Sequence, residues 1–352
     1  MVAEVPKTCR AAPVVDLGPN YKLVCREDYP VPEPKEGELL CELKVTGICQ
    51  SDHHFVCGDW RIAPAPGVDC TGHEGAGYVA KVGPGVKGWK VGDRVGITPV
   101  AKTCHECEYC KGGFETLCLK IEYIAVHTNG TYTQYPIVDA SWAIHLPENI
   151  APFMCSGGTA YTAVKATECK PGDYVCVFGA GGGVGHMVVQ FAKALGYKVI
   201  GLDVGDKSAV ALGAGAEHYI DVTKHEDLTA EVAKLTPLEL GAHAAIVAAG
   251  SGKAYAAAPT VLRPRGIVVA VGLPALGTAV LGGEPAVACF KGIRFRGILV
   301  TTRPDMEEAM KFLAEGKVKE HVTVLPFAEF PEALARCANS TAKGRQVIDF
   351  NK

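Results

Sequence analysis

The chain has no long uninterrupted apolar run. Its most apolar stretch, GIVVAVGLPALGTAVLGG from Gly266, is broken by Pro274 and several glycines. That pattern predicts a buried strand and a loop, not a membrane span. The start, MVAEVPKTCRAAP, has no apolar signal core, so the expectation is a cytoplasmic protein that is not exported. Nor is there a strong charge of one sign. The formal net charge of −3 gives no global attraction for nucleic acid or an anionic membrane, and neither is expected as a partner. Internal repeats and low-complexity segments are missing too. What remains is a globular balance, 48% hydrophobic and 21% charged over 352 residues, a length that accommodates two domains.

Cysteine, by contrast, is abundant. Fifteen thiols (Cys 15) are too many for structural disulfides in a reducing compartment. Cys9, Cys25, Cys41, Cys176, Cys289 and Cys337 have apolar or strand-like neighbours and read as small buried hydrophobes. Four others crowd into CHECEYCKGGFETLC, where Cys104, Cys107, Cys110 and Cys118 follow C-x2-C-x2-C-x7-C. Four thiolates close a tetrahedral shell around zinc and leave no seat for substrate, so such a site shapes a loop and does no chemistry. An iron–sulfur cluster stays open on ligand type alone. A nucleic-acid module lacks a basic surround, because Glu106, Glu108 and Glu115 interleave with the lysines. Structural zinc is the preferred reading.

Two textures divide the chain. Residues 1 to about 150 alternate short apolar runs (GELLCELKVTGI, GAGYVAKVG) with turn-rich stretches (PVPEPKEG, GPGVKGWKVGD), which predicts a twisted antiparallel unit. From about Pro171 the pattern changes. YVCVFGA reads as a strand covered on both faces. After it, Val184, Met187, Val188, Phe191 and Leu195 fall at helical spacing, with Gly196 at the helix end. KVIGLD, AEHYID, HAAIVAAG, GIVVAVGL and IRFRGIL complete six strands separated by helix-length segments. This α/β pattern predicts a doubly wound parallel sheet. The tail adds an amphipathic helix, a short helix and a last strand, GRQVIDF.

The glycine run between the first strand and helix reads Ala180-x-Gly182-x-x-Gly185, with Gly179, Gly181 and Gly183 in addition. The first glycine of the usual dinucleotide pattern is displaced, but backbone approach to a pyrophosphate at a helix N-terminus survives. Asp203 ends the second strand, where an acid accepts from ribose hydroxyls and repels a 2′-phosphate. Asp206 adds negative charge, and Lys207 is the one cation close by. NAD is therefore expected over NADP. A second metal set is scattered: Cys49 in GICQSDHH, His73 and Glu74 in GHEGAG, and Cys155 in APFMCSGGTAY. Two thiolates and an imidazole leave one zinc position free for Lewis-acid chemistry.

In this order, GICQSD, GHEGAG, the four-cysteine loop, the Cys155 segment and GAGGGVG resemble the zinc-containing medium-chain alcohol dehydrogenases. GDW at Gly58, VKGWKVGD, CEYC, QFAKALGYKVIGLD and GRQVIDF are most similar to the yeast-type, fungal branch, and the likeness covers essentially the whole chain. The resemblance implies a GroES-like catalytic domain over 1–155, a Rossmann domain over 156–295 and a C-terminal return over 296–352. It implies two Zn²⁺ per chain, NAD(H), and a homotetramer acting on a small alcohol or aldehyde. Cys49, His73 and Cys155 would hold the catalytic zinc, with Glu74 as alternate ligand and Asp52 orienting His73. Ser51 would take the alcohol proton and His54 pass it outward through the nicotinamide ribose, while hydride leaves an alkoxide held on zinc. Gly179, Gly182, Gly183, Val184, Gly185, Asp203 and Lys207 would bind the cofactor. Thr159, Val271, Leu273, Ile298 and Val300 would lie along the nicotinamide, and Arg345 would reach the pyrophosphate.

Three positions depart from the family. Gln50 replaces a His or Arg near the pyrophosphate, which should weaken NAD binding. Pro99 replaces a pocket aromatic and Leu273 a methionine, while Trp60 is kept. A pocket short of one aromatic suits a longer, branched or aryl primary alcohol. Cys57 and Cys70 match no ligand position and read as structural. Two rivals make different demands. A zinc-independent quinone or enoyl reductase of the same fold needs no scattered metal set, and a non-enzymatic zinc-ribbon scaffold needs no Ser51 and His54.

Overall fold

A computed structural model describes residues 4–147, 153–319 and 321–352. They form two compact units, one of 1–155, 322–342 and 346–352, the other of 156–321 and 343–345. None of the helices among the described residues is long and apolar enough to cross a membrane.

The first unit is built on strand Glu38–Gly47, whose apolar residues Leu39, Cys41 and Leu43 alternate into a core. It pairs antiparallel with Gly75–Val82, which pairs with Arg94–Ile97. Helix α1 (Gln50–Cys57) leaves the end of the long strand. Cys49 caps it in extended backbone, Asp52 sits in the first turn where the helix dipole favours an acid, and Gly58 (φ 76) ends it.

The second unit holds six parallel strands in spatial order His218–Asp221, Lys198–Asp203, Tyr174–Phe178, Ala242–Val247, Leu262–Ala270 and Arg294–Gly297. Numbered along the chain this order is 3-2-1-4-5-6, so the winding reverses beside Tyr174–Phe178, the place where such sheets bind ligands. Helix α2 (Ser156–Ala166) precedes the sheet, and α3 (Gly185–Ala194) follows its first strand. Met187, Val188 and Phe191 are buried on the periodic face predicted for α3, and Gly196 (φ 81) stands just past its end. The chain stays in this unit through α4 (Arg303–Ala314), which packs on α2.

Re-entry into the first unit thus begins at Val322, later than the expected 296. The physical reason is pairing: strand Arg294–Gly297 bonds to Leu262–Ala270, and α4 follows it onto the same unit. Strand Val322–Pro326, helix α5 (Phe330–Ala338) and strand Arg345–Asp349 then finish the first unit's sheet and core. Phe330 and Phe350 are fully buried there around Tyr132. Burying each such ring contributes about 1.5–3 kcal/mol.

The cysteine reading needs one correction. Cys9, Cys41 and Cys176 are buried as expected, but Cys25 and Cys337 are half-buried and Cys289 is exposed. Cys289 lies in the short helix Pro285–Lys291, which has no buried residue, so apolar neighbours in sequence did not mean an apolar environment. No disulfide joins any of the cysteines among the described residues.

Candidate active site and metal centres

The four-cysteine loop is bent by two local devices. His105 adopts φ 58, and Cys107 caps a single helical turn, Glu108–Lys111. The turn brings Cys110 back toward Cys104, with sulfurs 4.0 Å apart, while Cys118 approaches Cys104 at 3.5 Å. Sulfurs at tetrahedral corners about 2.3 Å from one ion lie roughly 3.8 Å apart, so these spacings suit zinc and are far too long for a disulfide. Backbone N–H groups already point at the sulfurs. Cys104 N donates to Cys118 Sγ at 3.3 Å, Cys107 N to Cys104 Sγ at 3.4 Å, and Lys120 N to Cys118 Sγ at 3.3 Å. Backbone donors, those of Cys110 and Leu119 foremost, pull the Cys107 thiol down to about 6. Cys110 is pushed the other way, up to about 12, chiefly by burial, so among the four thiols the backbone donors favour the thiolate at Cys107 most.

The scattered set also converges. One ligand atom each from Cys49, His73 and Cys155 lies within 4.8 Å of the others, all buried. Cys49 comes from the cap of α1, His73 from the approach to strand Gly75–Val82, and Cys155 from the end of the first unit's leading stretch. Asp52, on α1's first turn and fully buried, ties them together. Its carboxylate accepts from Cys49 N at 3.2 Å, from Tyr132 Oη at 2.9 Å and from His73 Nδ1 at 2.7 Å. With Nδ1 engaged by Asp52, Nε2 of His73, 3.3 Å from Cys155 Sγ, is the nitrogen left to ligate an ion. Burial opposes charging His73, yet Asp52 and Cys49 outweigh it and raise the imidazole to about 10. A pocket with two thiols, an aspartate and a glutamate draws in positive charge, and a metal cation meets that demand. Burial, reinforced by Asp52, holds Tyr132 well above its ordinary range, so it stays a donor.

Glu74 is fully buried behind this set, where its Oε1 accepts from Cys155 N at 3.2 Å. Its space depends on Gly47, since a Cβ there would lie 2.4 Å from Glu74 Oε2. His54, two residues past Asp52 on α1, is buried as well. Its Nδ1 is bonded to Asp59 Oδ2 at 2.7 Å, and its Nε2 is buried without a hydrogen-bond partner. That leaves one basic nitrogen able to receive a proton. Trp60 packs on His54 (centroids 4.7 Å) and edge-on against Phe55 (5.3 Å). Ser51 is half-buried on α1's first turn. Gln50 is turned toward α5, its amide donating to Ala338 O at 3.4 Å and its oxygen 3.8 Å from Cys337 Sγ. Pro99 is buried, with its carbonyl accepting from Ile124 N at 3.0 Å.

In the second unit the glycine turn is cut to fit a close backbone crossing. A Cβ on Gly185 would sit 1.9 Å from Gly179 O, so α3 can start there only with glycine. A Cβ on Gly182 would lie 3.3 Å from Gly179 O, a tight approach within the same turn. Val184 caps α3. Asp203 is buried, accepts from Gly181 N at 2.9 Å, and pairs with Lys207 Nζ at 3.1 Å. Arg345 is buried beside the turn, with its Nη1 3.1 Å from the position of a Gly183 Cβ. On α2, Thr159 carries a buried hydroxyl with no protein hydrogen-bond partner. Val271 and Ile298 follow the ends of the last two sheet strands, and Val300 adopts φ 46, strained for a β-branched residue. Leu273 is 43% exposed.

Three contributors escaped the sequence reading. Tyr132 and Asp59 orient Asp52 and His54, and His186 on α3 bridges Gly182 O (2.9 Å) to His321 N (3.0 Å). Asp59 had a signal in the GDW string and His186 in its place just after the glycine run; Tyr132 sits in a segment with no motif.

Comparisons with known proteins agree with this geometry. Residues 35–148 match the model of the alcohol dehydrogenase GroES-like domain, and residues 183–315 that of the zinc-binding dehydrogenases. An alcohol dehydrogenase of Schizosaccharomyces pombe is 38% identical over 332 residues, 93% of each chain. Among solved structures, the alcohol dehydrogenase of the hyperthermophilic archaeon Aeropyrum pernix matches with a TM-score of 0.86 at 28% identity, covering 97% of this chain and 99% of that one. An NAD-dependent alcohol dehydrogenase matches at 0.84 and 27% identity, with 97% and 99% covered. With a GroES-like unit, a parallel six-stranded nucleotide-type sheet and two zinc-fitting donor sets, the chain belongs to the zinc-containing medium-chain alcohol dehydrogenase family and is an oxidoreductase.

Proposed function

We propose that this enzyme oxidises a primary alcohol, of longer-chain, branched or aryl type, to the aldehyde with NAD⁺, and catalyses the reverse reduction with NADH. The observation that carries the reading is the convergence of Cys49, His73 and Cys155 on one point, with Asp52 fixing His73. Zinc held by these three, with NAD bound at the glycine turn, supplies Lewis acidity toward the alcohol oxygen and a hydride acceptor. Cys104, Cys107, Cys110 and Cys118 would hold the second zinc, which would fix the shape of their loop.

The chain's own residues handle the proton. Ser51 receives it from the alcohol hydroxyl, and His54 accepts it at Nε2, because Asp59 keeps Nδ1 protonated. Glu74 serves as the alternate ligand from its buried place behind the thiols. Arg345 meets the pyrophosphate charge, and Thr159 offers its unpartnered hydroxyl to the nicotinamide end. Asp203 binds the ribose. Lys207 is already committed to Asp203, so it is not available to a 2′-phosphate, and NAD is preferred to NADP. Gln50 carries no charge, and its amide is engaged with α5, so the pyrophosphate lacks one cation on that side.

The test is an activity panel with NAD⁺ and NADP⁺ over ethanol, butanol, isobutanol and benzyl alcohol, with zinc measured on the same sample. We expect two zinc ions per chain and a kcat/KM that rises beyond ethanol. A steep fall with chain length rejects the roomier pocket. Activity on a quinone or enone without zinc at Cys49 and His73 rejects the dehydrogenase reading itself.

A further inference from the structure

A third donor cluster lies on the other side of α1. His53 and Cys57 are four residues apart on the helix and so share one face. Gly58, at φ 76, reverses the chain, and Asp59 N bonds back to His54 O at 3.1 Å. The reversal brings the Asp59 carboxylate beside the pair. One donor atom from each of His53, Cys57 and Asp59 lies within 4.8 Å of the others, and all three side chains are half-buried, open to an ion from solvent. Cys57 Sγ is 3.5 Å and 3.7 Å from the two ring nitrogens of His53. A sulfur and a nitrogen on one ion, about 2.3 Å and 2.1 Å from it, are separated by roughly 3.5 Å. Tyr21 Oη bonds His53 Nδ1 at 3.0 Å. In the tautomer that donates Nδ1–H to Tyr21, Nε2 is the nitrogen left for the ion, the arrangement usual for a ligating imidazole.

We propose that His53, Cys57 and Asp59 form a third metal site, for a borderline divalent ion such as Zn²⁺ or Co²⁺, whose occupation weakens the support of His54. The donor set is one thiolate, one imidazole and one carboxylate, mixed softness that suits those ions and not Ca²⁺ or Mg²⁺. With one thiolate where the Cys49 set has two, the site is the weaker of the two and fills last. Its reach into turnover runs through Asp59. That carboxylate is the partner of His54 Nδ1 at 2.7 Å, and a cation on it draws away the negative charge that His54 leans on. The effect on turnover rests on the reading of His54 as proton carrier; the binding of the ion does not.

The experiment titrates the two-zinc holoenzyme with Co²⁺ and follows bound metal and the near-ultraviolet thiolate-to-cobalt absorption. One extra ion per chain is expected, with a band that is absent from Cys57→Ser and weakened about tenfold or more in affinity in His53→Asn. Added Zn²⁺ should displace the band and lower turnover severalfold in the native chain but not in Cys57→Ser, whose basal activity is unchanged. Lack of a third ion at millimolar Co²⁺, or a band that persists in both variants, overturns the site. A normal band with turnover untouched by Zn²⁺ overturns its link to His54. A protein that shows the band but oxidises no alcohol points to failure of the functional reading, with the metal site intact.

Discussion

The two zinc sets solve the same problem in opposite ways. Cys104, Cys107, Cys110 and Cys118 are supplied by one loop, and their sulfurs are steadied by that loop's own backbone N–H groups. Cys49, His73 and Cys155 come from three distant stretches and are steadied by a buried carboxylate, with a second carboxylate behind them. A local chelate needs little from the rest of the fold and leaves its ion coordinatively full. A distributed one exists only once the sheet has formed, and it leaves a vacant seat surrounded by negative charge. The first arrangement holds shape; the second can do chemistry.

The sharpest way to break this contrast is to remove one ligand from each set. His73→Ala should lose the catalytic ion and lower kcat/KM by about 10³-fold or more, since a Lewis-acidic metal is worth several kcal/mol in the transition state. Its far-ultraviolet spectrum and the loop zinc should persist. Cys107→Ser should do the reverse, losing the loop zinc and several kcal/mol of stability while the surviving folded molecules keep their turnover. Zinc content, thermal midpoint and turnover on both proteins check this. Equal losses of activity in the two would erase the distinction drawn here. A smaller effect sharpens it from the proton side. His54→Gln keeps the size and one donor but no basic nitrogen, and should cost about 10²-fold in turnover with zinc content unchanged.

The same contrast explains what could be read from the chain. The local set was legible from spacing alone, because four thiols in fifteen positions have few other uses outside an oxidising compartment. The six-stranded sheet was legible too, since strands covered on both faces announce themselves as apolar runs. The distributed set showed only weak single residues, which gained force from their combined donor chemistry and were given roles only by the resemblance. Tyr132 was invisible, because a tyrosine in a β-rich stretch looks like core, and its ring does pack against Phe330 at 4.8 Å. The late re-entry at Val322 was missed because α4, which follows the sixth strand, is amphipathic like any surface helix and carries no mark in sequence of which unit it will pack on. Cys57 was read as structural because it matches no ligand position of the family; His53 and Asp59, brought beside it by the helix and by Gly58, are what change the reading.

Tyr132 offers the finest test of the distributed design. Its hydroxyl is one of three donors to Asp52, beside Cys49 N and His73 Nδ1. Tyr132→Phe keeps the ring against Phe330 and deletes only that donor. Two effects then compete. The carboxylate gains basicity, which should strengthen its hold on His73. It also loses a partner in a fully buried place, which costs about 1–3 kcal/mol. A hydrogen bond's net worth is about 1 kcal/mol, so the strengthening is the smaller term and the loss should win. We expect the catalytic ion to bind up to about tenfold more weakly in a chelator competition, with the four-cysteine ion unmoved. The position of the pocket, set by strand and helix, should not change, so KM for the alcohol should hold while zinc retention falls. If zinc retention is unaltered, Asp52 is fixed by α1 alone, and the carboxylate layer behind the distributed set is simpler than its three donors suggest.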